Sequence, residues 1–469
     1  MDLTRRKVLL GAGLITSSLL LPTPSAQSSV STSKVFNSVA ELQLAINSAS
    51  SGDLLILAAG TYTDAAITVT THGLTIRAEL AGKVIFNGSS HIVIKSDHTV
   101  FSGFQFLNGE FPGIVIRVFG SDNKVEDLNF FGYSAKKYIN LEAGSQRNEI
   151  SYCNFENKPA TAPMGNLVGV IPDSQIPGYH RIRFCSFKNN PGAGGDNGNE
   201  PIRLGDGAVS TYISRTIVEY CYWENTGLGD SENVSIKCRE NIVRYCTFKD
   251  NQDGALVFRN GINNMAYGNS FINAGGIRIK EASNIFCFDN YFENSGIGGR
   301  ASAVNLEYLE NNLNNINFLS NTFINCGAII LGGTGPLLNC WANNLFVKPV
   351  GAIFSRPNQG TQWLGNIYQG SLGLPPTPGL KAGAPRFTHK ANDYYRPTLT
   401  TPTKSASVAG FSIPAMYDGM APTNPLGMDL FQNSRPLKVE QWDVGAIQYS
   451  RYAKNFGALT AKSTGPRYN

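Results

Sequence analysis

Two short stretches of the chain end in a basic residue and follow a pair of carboxylates. Asp230 and Glu232 precede an alternating run that ends at Lys237, and a second alternating run ends at Arg259. If the two runs are neighbouring strands of a stack, the two bases project side by side from one face, with the carboxylates just upstream. Carboxylate oxygens suit a hard cation, and the bases suit proton transfer and acidic ligands. The spacing therefore predicts a site with a cation-binding half and a proton-transfer half.

Further polar residues fall at outward positions of the same region. The amide and acidic oxygens suit calcium, and the arginines suit carboxylates or sulfates. Glu200 is expected either to contact a substrate or to support the cation next to Glu232. Of the five histidines, which show no metal-ligand spacing, His180 is the nearest and is a candidate substrate contact. The additional candidates are Asn197, Asn199, Glu200 and Arg203 in NGNEPIRLG, Arg278 in GGIRIK and Arg300 in GIGGR.

The composition indicates a protein of strands and turns. The 469 residues include 49 glycines, and only 16% are charged. The formal net charge is +5, and no basic run suggests a nucleic-acid partner. A mild positive excess suits an acidic substrate.

The first 26 residues are predicted to be a signal peptide. Arg5 and Arg6 precede an apolar run that extends to Leu21, and Ala26 ends a small-residue cleavage site. The adjacent arginines favour twin-arginine export of folded cargo, with an ordinary secretory signal as the alternative. No other segment is long and apolar enough for a membrane span. We therefore expect an exported protein, periplasmic or secreted, and a monomer.

A repeated frame indicates the scaffold of this site. Two positions before most of the recurring aromatic residues stands a cysteine or an asparagine, such as Cys153, Cys185, Asn269 or Asn290. Stacked identical residues are typical of a parallel β-helix, because each coil lies one strand spacing from the next. We favour buried free thiols over disulfides between stacked positions. The aromatic residues are Phe106, Phe130, Phe155, Phe187, Trp223, Phe248, Phe271, Phe292, Phe323 and Phe346.

The predicted fold is all-β, a single-stranded right-handed parallel β-helix over residues 35–350. An N-terminal helix that begins near Ser38 is expected to cap it, since Ser38 and Glu41 have the spacing of a capping box. The period fades after residue 350. Residues 351–469 are therefore expected to form an irregular extension that packs on the solenoid.

The pieces NGNEPIRLG, SENVSIK, LVFRNG and GGIRIK, in this order, resemble polysaccharide lyase family 6, the β-helical family of alginate lyases and chondroitinase B. The resemblance covers most of residues 35–350. Departures from the family pattern are Asp230 where a glutamate is usual, Cys238 where a serine is common, and one extra residue between the two bases. The resemblance implies Lys237 as catalytic base, Arg259 as catalytic acid, Asp230 and Glu232 as acidic calcium ligands, Asn197 or Asn199 as the amide ligand, and Arg278 as a substrate contact.

The implied activity is calcium-assisted β-elimination of a uronic-acid polymer, which leaves a 4,5-unsaturated sugar. Alginate is the preferred substrate, and dermatan sulfate or chondroitin is the alternative within the class. A non-catalytic β-helical adhesin or carbohydrate-binding protein is the alternative outside it. The RIK triplet at Arg278 also occurs in polygalacturonases, but the aspartate pairs and the Gly-His-Gly motif of those hydrolases are missing. Mannuronate or guluronate preference, endolytic or exolytic cleavage and the identity of the amide ligand stay open.

Overall fold

Short alternating strands, each followed by a turn, pair with the strand of the next coil and not with their neighbour in sequence. In the computed structural model, residues 33–190, 198–227, 232–252, 254–307, 313–333, 338–389, 394–412, 425–449 and 457–468 are described. Three parallel sheets result, because every coil contributes one strand to each of them in turn. The predicted parallel β-helix is confirmed, and its right-handed sense stays a prediction.

The three sheets are named A, B and C in the order in which a coil visits them. Sheet A comprises β1 Ser33–Phe36, β2 Leu54–Leu57, β5 Thr75–Ala78, β8 Val100–Ser102, β11 Lys124–Glu126, β14 Glu149–Ser151, β17 Arg181–Arg183, β20 Ile217–Glu219, β23 Ile242–Arg244, β26 Met265–Tyr267, β29 Ser283–Phe288, β32 Asn314–Leu319, β35 Asn339–Ala342 and β38 Thr361–Leu364. Sheet B comprises β3 Gly60–Thr63, β6 Val84–Asn87, β9 Phe104–Leu107, β12 Asn129–Phe131, β15 Asn154–Glu156, β18 Ser186–Lys188, β21 Tyr222–Glu224, β24 Thr247–Lys249, β27 Ser270–Ile272, β30 Tyr291–Glu293, β33 Thr322–Ile324, β36 Leu345–Ala352, β39 Asn366–Ser371 and β40 Leu380–Ala382. Sheet C comprises β4 Ala66–Val69, β7 His91–Ile94, β10 Glu110–Val118, β13 Ser134–Leu141, β16 Val168–Val170, β19 Ile202–Leu204, β22 Glu232–Ile236, β25 Ala255–Arg259, β28 Ile277–Lys280, β31 Val304–Glu307, β34 Ile329–Ile330 and β37 Phe354–Ser355.

Few other regular elements accompany these sheets. The helix α1 spans Val39–Ser48, and short 3-10 helices span Gly207–Val209, Pro425–Gly427 and Val439–Gln441. An antiparallel pair, β41 Phe387–Thr388 and β42 Arg396–Pro397, lies in the C-terminal extension. Among the described residues, no helix has the length and apolar character that a membrane crossing requires.

The predicted aromatic frame forms a continuous stack inside the solenoid. Phe106 stacks on Phe130 with ring centroids 4.7 Å apart, and Trp223 stacks on Phe248 at 4.5 Å. Both pairs lie opposite each other in the strand register of sheet B. Offset stacking of buried rings adds to the stabilisation that their apolar burial provides. The regular stack therefore holds the coils in register, which places outward residues of sheet C in columns.

The cysteine and asparagine positions form a second interior column. Asn269, Asn290 and Asn321 are fully buried, and each accepts a hydrogen bond at 3.0 Å from the backbone N–H of the preceding ladder residue. Their side-chain amides donate to the next asparagine, so that these buried polar groups are satisfied. All eight cysteines are buried free thiols. The structure therefore confirms the expected thiols and asparagine ladder.

The N-terminal helix covers the open end of the interior. Ser38 is the N-cap of α1, and its side-chain oxygen accepts from the backbone N–H of Glu41 at 3.2 Å. Leu42 and Ile46, one turn apart, are fully buried against the first coils. The predicted capping helix is confirmed.

The C-terminal extension runs back along the outside of the solenoid. The parallel sheets first continue to Ala382, beyond the expected boundary at residue 350. The following residues contact sheets A and B and the corner between them, and they belong to the same compact unit as the coils. Successive contacts reach earlier and earlier coils: Ala446 N–H donates to the Thr322 hydroxyl at 2.9 Å, Leu459 N–H to the Thr247 hydroxyl at 3.0 Å, Gly465 N–H to the Phe184 carbonyl at 2.8 Å, and Arg467 Nε to Asp127 at 2.8 Å.

Candidate active site

The strand register of sheet C brings Lys237 and Arg259 side by side. Ile236 in β22 lies opposite Phe258 in β25. The residues that follow in the sequence, Lys237 and Arg259, are therefore opposite each other as well. Ile236 and Phe258 point into the core and are fully buried, so the alternate positions face outward. Neighbouring strands are about 4.8 Å apart. Both bases therefore extend from the same outer surface of the solenoid.

Two buried carboxylates lie below these bases. Ile202 in β19 is opposite Val234 in β22, and Glu200 and Glu232 each stand two residues before these partners in the sequence. Both glutamates are fully buried. Lys237 Nζ lies 3.6 Å from Glu200 Oε1, and Arg259 Nη1 lies 3.7 Å from Glu232 Oε1. Each base of the proton-transfer half thus faces one carboxylate.

The electrostatics of this carboxylate pair favour a cation. Burial raises the pKa of Glu232, the hydroxyl of Ser235 and the charge of Lys237 lower it, and the neighbouring charge of Glu200 raises it again. Neither oxygen of Glu200 receives a hydrogen bond from any residue that the structure describes. Buried carboxylates require compensating charge or donors. The donor set, two acidic groups beside an amide-rich segment, fits a hard divalent ion that prefers oxygen ligands.

The predicted metal ligands are only partly described. Asp230 and Asn197 lie outside the described residues, so their predicted roles stay predictions. Asn199 accepts a hydrogen bond at 3.1 Å from the backbone N–H of Gly165 in the preceding coil. Within the described ranges, no group of three acidic, histidine or cysteine side chains is arranged to hold a metal ion. Glu232 is thus the one predicted ligand with a described position at the carboxylate pair.

The predicted substrate-contacting arginines lie on both sides of the two bases. Arg203 in β19 is opposite Ser235, and its Nη1 lies 4.0 Å from Glu200 Oε1. Arg278 in β28 is opposite Val257 and forms a two-point ion pair with Glu307, at 2.5 and 3.0 Å. Sheet C therefore carries basic side chains along several coils, each beside a glutamate.

Two residues near these arginines differ from the sequence-based expectation: Arg300, which bonds within its own turn, and Glu307, which pairs with Arg278. Arg300 precedes β31 and donates from Nη1 to the carbonyl of Ile297 at 3.1 Å, within its own turn. Glu307 was not a candidate in the sequence. The available signal was its position at the end of the alternating run 304–307. Glu307 is opposite Lys280 at the end of the run in the preceding coil.

Glu200 is fully buried, and its predicted contact with a substrate stays a prediction. Its side chain has no exposed surface and lies behind Lys237, which is itself only 8% exposed. Its Oε1 faces the amine of Lys237 at 3.6 Å, as an ion pair.

His180 is a buried member of a polar ladder, and the predicted substrate contact is wrong. Its ring is 1% exposed and its Nδ1 accepts from the backbone N–H of Asn148 at 3.2 Å. The Asn148 side chain accepts in the same way from the N–H of Asn123. The imidazole thus replaces an asparagine amide in an interior column. Burial, followed by the charge of Arg147, lowers the pKa of His180 to about 3.

This burial predicts acid sensitivity. The unfolded chain takes up a proton at His180 near its ordinary pKa of 6.5, and the folded chain only near 3, so stability falls as the pH drops through that window. The contribution lost between pH 7 and pH 4 is roughly 3 kcal/mol. We expect His180→Asn to show a correspondingly smaller loss of unfolding free energy in urea titrations at the two pH values. Equal losses in both proteins would contradict the neutral buried imidazole.

The fold and the site together define a β-helical protein whose outer surface carries basic side chains next to glutamates. Such a surface suits an acidic polymer. A family model described as Chondroitinase B matches residues 36–335. The chain belongs to the chondroitinase B family, and the predicted assignment to polysaccharide lyase family 6 is confirmed. No curated protein matches the chain significantly.

Solved structures share this fold. The family 6 alginate lyase AlyGC superposes with a TM-score of 0.68 at 22% identity, over 78% of this chain and 55% of that one. A mannuronic-acid-specific family 6 lyase from human gut microbiota gives 0.64 at 22% identity, over 75% and 90%. A family 6 lyase from Pseudopedobacter saltans gives 0.57 at 19% identity, over 93% and 99%. The chain thus spans about half the length of the first of these.

Proposed function

We propose that this protein cleaves a uronic-acid polysaccharide, with alginate as the preferred substrate, by calcium-assisted β-elimination. The observation that carries the proposal is the placement of Lys237 and Arg259 on adjacent strands, each within 4 Å of a buried carboxylate. The family assignment supports a lyase, and the similar solved structures named as alginate lyases support this substrate. Dermatan sulfate is the alternative substrate, because the matching family model is that of chondroitinase B.

Lys237 is the proposed base. In its neutral form the amine takes the proton from C5 of the uronate, and the electron pair of that bond forms the C4–C5 double bond as the C4–oxygen bond breaks. Glu200 orients the amine from behind. Arg259 lies on the neighbouring strand, where its guanidinium stabilises negative charge at the departing oxygen, and that oxygen takes its proton from a solvent water molecule.

The calcium ion belongs to the acidic half of the site. Asp230, Glu232 and one of Asn197 and Asn199 would hold it, next to the carboxylate pair. When bound, it neutralises the uronate carboxylate and stabilises the enolate-like charge that follows proton removal. The chain's own residues then orient the sugar and move the proton.

We also propose that residues 1–26 direct export of the protein to the periplasm or the exterior, where an acidic polysaccharide is met, and that it acts as a monomer. Residues 1–26 lie outside the described residues. The non-catalytic alternative, a β-helical adhesin, predicts binding of the same polymer without any chemical change. Turnover therefore separates the two functions.

The test is incubation with poly-mannuronate, poly-guluronate, mixed alginate and dermatan sulfate. Elimination creates a conjugated double bond, so ultraviolet absorbance should rise with at least one alginate substrate. New reducing ends without absorbance would indicate hydrolysis, and binding without either signal would favour the adhesin. A response to dermatan sulfate alone would replace alginate as the substrate.

A further inference from the structure

A second group of polar side chains converges on the outer face of sheet C, one to three coils before Lys237. Gly169 in β16 lies between Asn140 of β13 and Arg203 of β19 in the strand register. A Cβ atom at Gly169 would lie 2.4 Å from Asn140 Oδ1 and 3.2 Å from Lys137 Nζ. The glycine is thus required for these two side chains to lie across the strand.

Lys137 is held over this glycine. Its Nζ donates to Asn140 Oδ1 at 2.9 Å, and its side chain is partly buried. Burial and then the positive charge of Arg203 lower the pKa of Lys137, whereas Glu142 and Glu200 raise it. Glu142 is itself paired with Arg117 at 2.8 Å. Arg203 is opposite Gly169 in the strand register, and Lys137 Nζ lies over that glycine, so the two cations are one strand apart.

A buried amide points to the same place. Asn166 is fully buried, and neither its Nδ2 nor its Oδ1 has a hydrogen-bond partner among the described residues. Its Nδ2 would be 2.7 Å from a Cβ at Gly169, so the amide faces the ends of Lys137 and Asn140. A buried amide without a partner is costly, and an anionic ligand would supply the missing acceptor.

We propose that Lys137, Asn166 and Arg203 form a second anion subsite, which binds the carboxylate of a uronate unit other than the one that is cleaved. The proposal rests on the proposed function and extends it along the substrate. Lys137 lies three strands from Lys237, about 14 Å at the parallel strand spacing. One sugar ring cannot touch both, so the subsite favours a polymer whose successive units are acidic.

The first experiment measures cleavage by the full chain with Lys137→Met. Loss of a charge-assisted contact should raise KM for alginate about tenfold, with a smaller change in kcat. Lys136→Met is the matched control, because it removes the same charge from the adjacent, exposed residue and should behave as wild type. Lys137→Arg should restore part of the affinity, and Gly169→Ala should raise KM because its Cβ displaces Lys137 and Asn140.

The second experiment separates the subsite from the reaction. A saturated uronate hexasaccharide is bound to Lys237→Ala protein by calorimetry, with and without Lys137→Met. We expect about tenfold weaker binding with the second substitution, and no difference for a carboxyl-reduced hexasaccharide. Lys137-dependent binding without cleavage by the wild type would retain the subsite and reject the proposed function. Cleavage with identical KM and binding in the Lys137→Met and Lys136→Met proteins would overturn the subsite alone.

Discussion

Replacing Lys237 by alanine is expected to lower kcat on alginate by roughly 10²–10⁴-fold, the usual contribution of a positioned general base. Lys237 lies beside Arg259 on the outer face of sheet C, and its amine is 3.6 Å from Glu200. The alanine variant lacks the amine that takes the proton from C5, so elimination is slowed. Absorbance of the unsaturated product measures the rate, and calorimetry with a saturated oligosaccharide measures binding.

Two controls define this result. Lys237→Arg keeps the positive charge but offers a group that stays protonated, so it should be nearly as inactive as the alanine variant. Lys249→Ala removes a lysine from sheet B, away from Lys237 and Arg259 on sheet C, and should keep wild-type activity. Substantial activity in Lys237→Arg would show that the residue supplies only charge, and the base would have to be another group.

Removal of calcium is expected to lower turnover by about a thousandfold, since a metal ion supplies several kcal/mol of charge stabilisation. The same treatment should lower Tm, because calcium bound only to the folded state stabilises it. Glu232→Gln should remove most of both calcium effects. The physical reason is the buried pair of Glu200 and Glu232, whose like charges raise each other's energy and which a bound metal ion would compensate in addition to Lys237 and Arg259.

A second variant tests that reason without any turnover. Glu200→Gln removes one of the two like charges that calcium would compensate, so the rise in Tm on adding calcium should be smaller than in the wild type. Glu224→Gln, on the outer side of sheet B, is the matched control and should change neither Tm nor its calcium response. If calcium altered neither Tm nor turnover of the wild type, the metal half of the proposal would fall.

The scaffold could be predicted from the sequence because the same pattern of interior residues recurs in many coils. Phe106, Phe130 and their successors occupy the same interior position in every coil, so each repeat confirms the frame of the previous one. The juxtaposition of Lys237 and Arg259 followed from the same frame, since both end an alternating run. Asn197 and Asp230 lie outside the described residues, and their predicted roles remain to be tested.

The features that escaped prediction depend on partners that vary from coil to coil. His180 occupies a ladder position that asparagine fills elsewhere, so one exception within a column gave no local signal. The pair of Arg278 and Glu307, and the approach of Lys137 to Arg203, join residues across loops of unequal length. The register between such coils cannot be counted from sequence alone. The fading period near residue 350 misled in the same way, because the strands of the last coils vary widely in length, from Phe354–Ser355 to Leu345–Ala352.

The returning C-terminal extension changes how the coils depend on one another. A plain stack is a one-dimensional array in which each repeat contacts only its neighbours and terminal repeats can open alone. Here the last residues of the chain bond to Asp127 near its beginning, while Ala446 is fixed at Thr322. These contacts join residues that are far apart in the sequence. Such contacts slow folding, and they couple early coils to late ones. Synthesis must pass Arg467 before the coil that holds Asp127 gains this contact, so an early coil is completed only by a late part of the sequence.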